Sequence, residues 1–363
     1  MRYRPELDGL RTLAVFAVIA THLTLPYAAG GWMGVDVFFV LSGYLITSIL
    51  LGEHDRFGSI SLGRFYSRRL LRLYPALIAL IVIGAAFFPY LTGSLQGYAD
   101  AAAFAGFYVS DFVAGTGHSG ALGSLIATWS LAVEEHFYLL WPPALILMLR
   151  FRHGVLKWTA AAGGVSLASL VVASFFQTSD GSIDAAYYLP SSRFCTLLLG
   201  CAIAVLLQRR VRVKALESAW AGAGIALAAA SLVLAANYLG RYPHFAWESP
   251  AIGLLSAAMI WHLTTADRSI VRVVLSWAPL VWAGRRSYGI YLYHLPVMAV
   301  LQSAVLPHFP VRHLIFSAVV YGVTIAVAAL SYRFLESPFL RLKTRFSPSR
   351  VRSAAASPEV AAA

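Results

Sequence analysis

Apolar residues run along this chain in long stretches, separated by short segments in which arginine, glycine and proline gather. Most stretches approach the roughly 20 residues that an α-helix needs to cross a bilayer, and none shows the regular alternation of a membrane β-strand. The pattern predicts spans at about 10–29, 33–51, 75–92, 125–149, 157–176, 190–207, 218–238, 249–265, 288–306 and 313–333. Two further apolar stretches, 101–113 and 273–283, are too short to cross, and the first reads as an interfacial or re-entrant helix. The expected fold is therefore all-α: a polytopic transmembrane helix bundle of about 10 spans occupying 1–346, with a disordered Ala/Ser/Pro tail at 347–363.

Composition agrees. Of 363 residues, 59% are hydrophobic and only 12% charged, about half the charged share of a soluble chain. No segment between spans is long enough to bury a core of its own, so a soluble domain is not expected. The net charge of +12 would suit nucleic acid, but its distribution argues for membrane topology instead. With the N-terminus inside, all basic residues except Arg193, Arg241 and Arg312 fall on the inner side, which puts both ends in the cytoplasm. The start, MRYR before an apolar run, looks like a signal peptide, but Glu6, Asp8 and His22 do not suit one, and no cleavage is expected. Cys195 and Cys201 form neither a disulfide framework nor a metal motif, and no metal is expected.

Ionisable groups inside spans are costly, so each is a functional candidate. Arg11 and His22 are eleven residues apart, three helical turns plus about 20°, and so face the same way at roughly 16–17 Å separation. One helix face thus offers a cation at the inner boundary and an imidazole well inside the membrane, which suits a long ligand with an anionic head and a reactive far end. Asp36 enters the second span near the level of His22 and is expected to orient the imidazole. Ser42, Gly43 and Tyr44 allow a close helix contact. Arg69 and Arg72 share a helix face, a spacing suited to gripping phosphate. Glu134 and Glu135 stand together in an apolar helix, where one is expected to face the bundle centre and the other a neighbouring helix. Arg193, Tyr288 and His294 are supporting candidates. Ordinary positive-inside anchoring, a structural ion-pair network and belt aromatics would account for several of these residues singly.

The ordered set is more specific than any member. Arg11 and His22, then GVDVFFVLSGYLI, RRLLRLYP, TWSLAVEEHFYLLWP, SRFCTLLLG, SYGIYLYHLP and LESPF resemble the acyltransferase family 3 of integral-membrane acyltransferases over roughly residues 3–340. The resemblance implies an O-acyltransferase of the bacterial inner membrane. It would move an acyl group, usually acetyl, from acyl-coenzyme A to a hydroxyl of a glycan, lipopolysaccharide, peptidoglycan or small molecule. The family's arginine–histidine motif falls on Arg11 and His22, its arginine pair on Arg69 and Arg72, and its acidic motif on Glu134 and Glu135. His136 stands where a glutamine is common. Many larger members add a C-terminal hydrolase-like domain, and this chain reads as a short form without it.

Under this reading, acyl-CoA is a co-substrate and no cofactor is permanently bound. Arg69 and Arg72, with Arg11 assisting, hold the donor phosphates. His22 is the general base, with Asp36 or Glu134 orienting it. Ser42, Tyr44, Glu135, Arg193, Tyr288 and His294 support the acceptor or the site. The partners are the acyl donor, a glycan or glycolipid and membrane lipids, without nucleic acid. Outer-loop rings at Tyr98, Phe104, Tyr238, Tyr242 and Trp247 are positioned to stack on sugar or anchor the bilayer interface. The competing reading is a proton-coupled transporter or flippase, which intramembrane charge also suits, though no internal repeat is visible.

Overall fold

Among the described residues, ten long helices stand where the apolar stretches place them. They are α1 (Pro5–His22), α2 (Gly34–Phe57), α3 (Leu62–Gly84), α4 (Thr128–Leu149), α5 (Gly154–Phe175), α6 (Pro190–Gln208), α7 (Ala221–Leu239), α8 (Phe245–Thr265), α9 (Ser287–Ala304) and α10 (His313–Ser331). The computed structural model describes residues 3–151, 154–176, 184–239, 245–304 and 313–342. The expected tail at 347–363, together with Arg241, Tyr242 and Arg312, lies outside the described residues. Among the described residues there is no strand, and the fold is all-α.

The ends of α1 differ from expectation. The helix begins at Pro5, whose missing N–H costs nothing at a first position, and Glu6 and Asp8 favour its positive end. It stops at His22, after which Thr24 and Tyr27 adopt positive φ and a short 3-10 helix, Ala29–Met33, leads into α2. His22 is therefore the exposed last residue of its helix rather than a residue well inside a span. Helix α2 runs past its expected end and closes on Gly58 at φ 69°, a left-handed cap that glycine takes without strain. The 101–113 stretch forms two short helices, Leu95–Gly106 and Ser110–Val113, separated by a turn at Tyr108 (φ 54°). The 273–283 stretch likewise divides into Ile270–Leu275 and Ala278–Gly284, both packed against α1.

Among the described residues, six helical segments are long and apolar enough to cross a membrane. These are Ala29–Phe57, Leu62–Leu91, Gly154–Phe175, Asp184–Gln208, Ala221–Tyr238 and His313–Leu342. Helices α1, α4, α8 and α9 are not among them; their polar residues include Arg11, Glu134, Glu248 and His294. The apolar window of α2 is 72% buried and that of α7 only 11%, so α2 is central while α7 shows most of its apolar surface outward. Helices α2 and α6 meet backbone to backbone: a Cβ on Gly43 would overlap the Leu197 carbonyl, and one on Gly200 the Val40 carbonyl. This is the close contact that small residues at membrane helix interfaces permit. It fixes α2 against α6 and turns the opposite side of α2 toward α1, α4 and α9, where the polar residues gather.

Candidate active site

Two cavities lie end to end along α1. The first, about 430 Å³, is lined by Arg11, Ser42, Arg69, Arg72, Glu134 and Tyr288 among others. The second, about 200 Å³, holds His22 with Trp32, Trp129, Asp184, Tyr187 and Tyr188. Val35 and Tyr291 line both, so the cavities abut across these two side chains. Arg11 and His22 sit in different cavities on one unbroken helix, eleven residues or roughly 16–17 Å apart along its axis.

The arginine cavity is organised around a charge cluster. Arg69 donates from Nε to Glu135 Oε1 at 3.1 Å and from Nη2 to Glu134 Oε2 at 3.5 Å, and its guanidinium lies 3.5 Å from the Tyr138 ring centre. Both adjacent carboxylates thus grip one arginine of α3 instead of turning to separate neighbours. Glu134 also accepts from Ser42 Oγ at 2.8 Å and from Tyr138 OH at 3.0 Å. Such charge-assisted bonds hold Arg69 in place and neutralise it. Arg72 makes no hydrogen bond or ion pair among the described residues and lines the cavity. Arg11 pairs, among the described residues, only with Asp8, at 3.6 Å. The guanidiniums least committed to protein partners are therefore Arg72 and Arg11. Tyr288, also lining this cavity, donates to the Leu73 carbonyl at 2.9 Å.

At the other cavity, His22 meets His294. His294 Nδ1 bonds the Tyr291 carbonyl, and its Nε2 lies 3.3 Å from His22 Nδ1. His22 Nδ1 is also 2.9 Å from the Val18 carbonyl. Carbonyl oxygens only accept, so each Nδ1 carries the proton. His294 Nε2 is then an acceptor for His22 Nδ1–H, and the basic lone pair of His22 sits on Nε2. His294 is fully buried in the α9 turn behind Tyr291, which fixes its orientation.

Neither carboxylate expected to orient His22 does so. Asp36 is wholly buried against Arg193 at 3.4 Å and accepts from Ser249 Oγ at 2.9 Å. Arg193, also wholly buried, sits 5.0–5.5 Å from the ring centres of Phe39, Trp129 and Tyr187. The pair joins α2, α6 and α8 behind the His22 cavity. Glu134 is committed to the Arg69 cluster. Tyr44 lies in a core cluster with Ala204 and Ile260 and lines neither cavity. His136, at the glutamine position, turns toward Asp111, 2.9 Å away.

The structure therefore brings Arg11, Ser42, Arg69, Arg72, Glu134, Glu135 and Tyr288 together in one cluster, joins His22 to His294 in the other, and leaves Tyr44 apart. Sequence reasoning overlooked Trp32, Asp184, Tyr187 and Tyr188. The Tyr187-Tyr188-Leu-Pro190 run at the start of α6 was the available signal, an aromatic pair held at a helix entry. Among the described residues, no group of three His, Cys, Asp or Glu side chains is arranged to hold a metal ion.

A family model described as an acyltransferase domain matches residues 4–333. The chain is 36% identical over 355 residues to the peptidoglycan O-acetyltransferase OatA of Listeria monocytogenes, an alignment covering 93% of this chain and 56% of the relative. It is 34% identical to a candidate peptidoglycan O-acetyltransferase, YrhL, of Bacillus subtilis, covering 93% and 55% respectively. It is also 34% identical to a candidate O-acetyltransferase of Staphylococcus aureus, covering 93% and 58%. The chain thus spans little more than half the length of these relatives. No solved structure matches it.

Proposed function

Because the chain belongs to the acyltransferase family 3, we propose that it transfers an acyl group, acetyl first among candidates, from acyl-coenzyme A to a hydroxyl of a cell-envelope glycan or glycolipid. In this reading about ten helices cross the bacterial inner membrane. The Arg11–Arg72 end faces the cytoplasm with both termini, and the His22 end faces outward. The relatives' names favour a peptidoglycan-type acceptor.

The observation that carries the proposal is the meeting of the two cavities at Val35 and Tyr291. Coenzyme A has its phosphates at one end and its thioester at the end of a long arm. Arg72 and Arg11 take the phosphates, guanidinium forks suiting phosphate oxygens. Arg69, neutralised by Glu134 and Glu135, shapes the cavity wall and keeps the cluster rigid. The arm runs along α1 and delivers the thioester past Tyr291 to His22. His22 Nε2 removes the proton from the acceptor hydroxyl as its oxygen attacks the thioester carbonyl. The C–O bond forms, the tetrahedral intermediate collapses, the C–S bond breaks, and the proton on His22 passes to the departing thiolate. A thiol near pKa 8.5 leaves without a strong general acid. The imidazolium formed on the way donates through Nδ1–H to His294 Nε2 and the Val18 carbonyl, which here replace the carboxylate of a catalytic triad.

Purified protein in nanodiscs, given acetyl-coenzyme A and peptidoglycan fragments, tests the proposal. Acetylated fragment and free thiol should appear together, and His22→Ala should abolish both while remaining folded. Full turnover by folded His22→Ala would remove the assigned base. Acceptor-independent thiol release with no acetylated product would argue against transfer to a glycan.

A further inference from the structure

The donor cavity has a cationic mouth beyond the two arginines assigned to the phosphates. Past Arg11 it reaches the start of α1, where Tyr3, Arg4, Leu7 and Asp8 line it. The short helix Ala278–Gly284 packs closely on this turn: a Cβ on Gly284 would overlap the Asp8 carbonyl, and Thr12 Oγ donates to the Leu280 carbonyl at 2.6 Å. Just before that helix, the Leu275 carbonyl would meet a Cβ on Gly9 in the same way. Arg285 follows directly on the clamped helix. Its Nε and Nη2 donate to Tyr3 OH at 3.1 and 2.8 Å, and its guanidinium lies 5.1 Å from the Tyr3 ring centre. Tyr3 OH donates in turn to Asp8 Oδ2 at 2.7 Å. Asp8 stands 3.8 Å from Arg285 and 3.6 Å from Arg11.

One carboxylate here faces two guanidiniums, so the mouth carries an excess of positive charge. Both Asp8 separations exceed the about 2.7–2.9 Å of charge-assisted hydrogen bonds, so a phosphate can approach Arg285 more closely than Asp8 does. The Arg285 side chain is 52% exposed against 16% for Arg11, which makes it the more accessible of the two from solvent. Neighbouring arginines are turned elsewhere. Arg4 donates to the Leu263 and Thr264 carbonyls at 3.1 and 2.7 Å, and Arg272 pairs with Glu6 at 3.2 Å. Arg286 donates to the Trp282 carbonyl at 2.8 Å with its guanidinium 4.0 Å from the centre of the Trp282 ring. The order of the groups matters too. Asp8, with Arg285 beside it, is one turn nearer the start of α1 than Arg11, about 4.5 Å along the axis, and His22 is at the far end. Coenzyme A has the same order: thioester, arm, diphosphate, then a ribose with its 3′-phosphate. With the arm toward His22 and the diphosphate on Arg11 and Arg72, the 3′-phosphate falls at the mouth.

We propose that Arg285, oriented by Tyr3 and Asp8, binds the 3′-phosphate of the donor and makes the protein select coenzyme A thioesters over thioesters lacking that phosphate. The inference rests on the acyl-coenzyme A reading of the cavity and adds a specificity-determining residue to it. The Tyr3 hydroxyl bridges Arg285 to Asp8, and Asp8 in turn faces Arg11, so the guanidiniums are set before the donor arrives. The short helices Ile270–Leu275 and Ala278–Gly284 thereby gain a purpose: locked on Gly9 and Asp8, they carry a cation to the cavity mouth.

The test compares coenzyme A with 3′-dephospho-coenzyme A on the full chain in nanodiscs, with binding read by calorimetry. A charge-assisted hydrogen bond to phosphate is worth roughly ten- to a hundredfold in affinity. Wild type should therefore bind coenzyme A tighter than the dephospho form by that factor. Arg285→Gln should weaken coenzyme A to the level of the dephospho form and leave the dephospho form unchanged. Arg285→Lys, which keeps the charge but loses the planar fork, should recover only part of the preference. Because the ligand is varied as well as the protein, the wild-type comparison does not depend on how any variant folds. Equal wild-type affinity for the two ligands would overturn the 3′-phosphate site while leaving the coenzyme A reading in place. A preference that survives Arg285→Gln would place the 3′-phosphate elsewhere and overturn the assignment. If neither ligand binds, the coenzyme A reading itself fails and the inference falls with it.

Discussion

Asp36 offers the sharpest test of how roles are divided in this molecule. From the sequence it is a candidate partner for His22; in the structure it is wholly buried with Arg193, 3.4 Å away, and Ser249 Oγ bonds both. Asp36→Asn keeps the size of the side chain but leaves Arg193 facing a neutral amide. Removing one member of a buried ion pair costs about 3–5 kcal/mol, because the remaining charge is still desolvated. The pair makes α2, α6 and α8 cohere, so the loss should appear as a lower midpoint in equilibrium unfolding by SDS or heat. Arg193→Met should cost a similar amount, and the double variant should lose less than the two single losses added, since neither charge is then left facing the other's absence. Per folded molecule, Asp36→Asn should keep acyl transfer within about tenfold of wild type, well short of the roughly 10²–10⁴-fold that a general base contributes. An Asp36→Asn protein of wild-type stability that has lost transfer would refute this reasoning and return Asp36 to the chemistry.

Four further outcomes are expected. His294→Phe should lower kcat by about 10–100-fold, the usual cost of removing an orienting partner, with both KM values little changed; an unaltered kcat would show that the His22–His294 contact does not matter. Arg72→Gln should raise the KM for acetyl-coenzyme A by roughly 10–100-fold, the worth of one charge-assisted hydrogen bond, without moving the acceptor KM. Arg69→Gln should instead destabilise the fold, because it leaves Glu134 and Glu135 facing each other. Gly43→Ala should destabilise by about 1–3 kcal/mol in the same unfolding assay, since the added methyl meets the Leu197 carbonyl of α6.

The helices were legible because a long apolar stretch in this chain has few other ways to satisfy its backbone: α4, α6, α9 and α10 begin and end within about three residues of where hydropathy puts them. The start of α1 was less legible, because Pro5, Glu6 and Asp8 are helix-starting residues that a search for apolar runs passes over. Arg11 and His22 sharing a helix was readable from spacing alone, since both stand on one element. Contacts between elements were not. Whether His22 meets Asp36, Glu134 or His294 depends on how α1, α2, α4 and α9 rotate about their axes. That rotation is set by close packing such as Gly43 on Leu197 and Gly200 on Val40, which leaves no local trace of which partner it selects. Glu134 and Glu135 show the same limit. Helical geometry separates neighbouring residues, yet a long arginine from α3 reaches both. The rings lining the His22 cavity escaped notice because Trp32, Trp129 and Tyr187 are about 155 residues apart at the extremes, and nothing in their spacing brings them together.

The central claim is that donor and acceptor approach one acyl group from opposite ends of two abutting cavities. Proteoliposomes test it directly, with labelled acetyl-coenzyme A confined to one side of the membrane and peptidoglycan fragments to the other. The expected result is labelled acetyl-glycan on the acceptor side, formed by wild type and absent with His22→Ala. Acetylation only when donor and acceptor share a compartment would contradict the account.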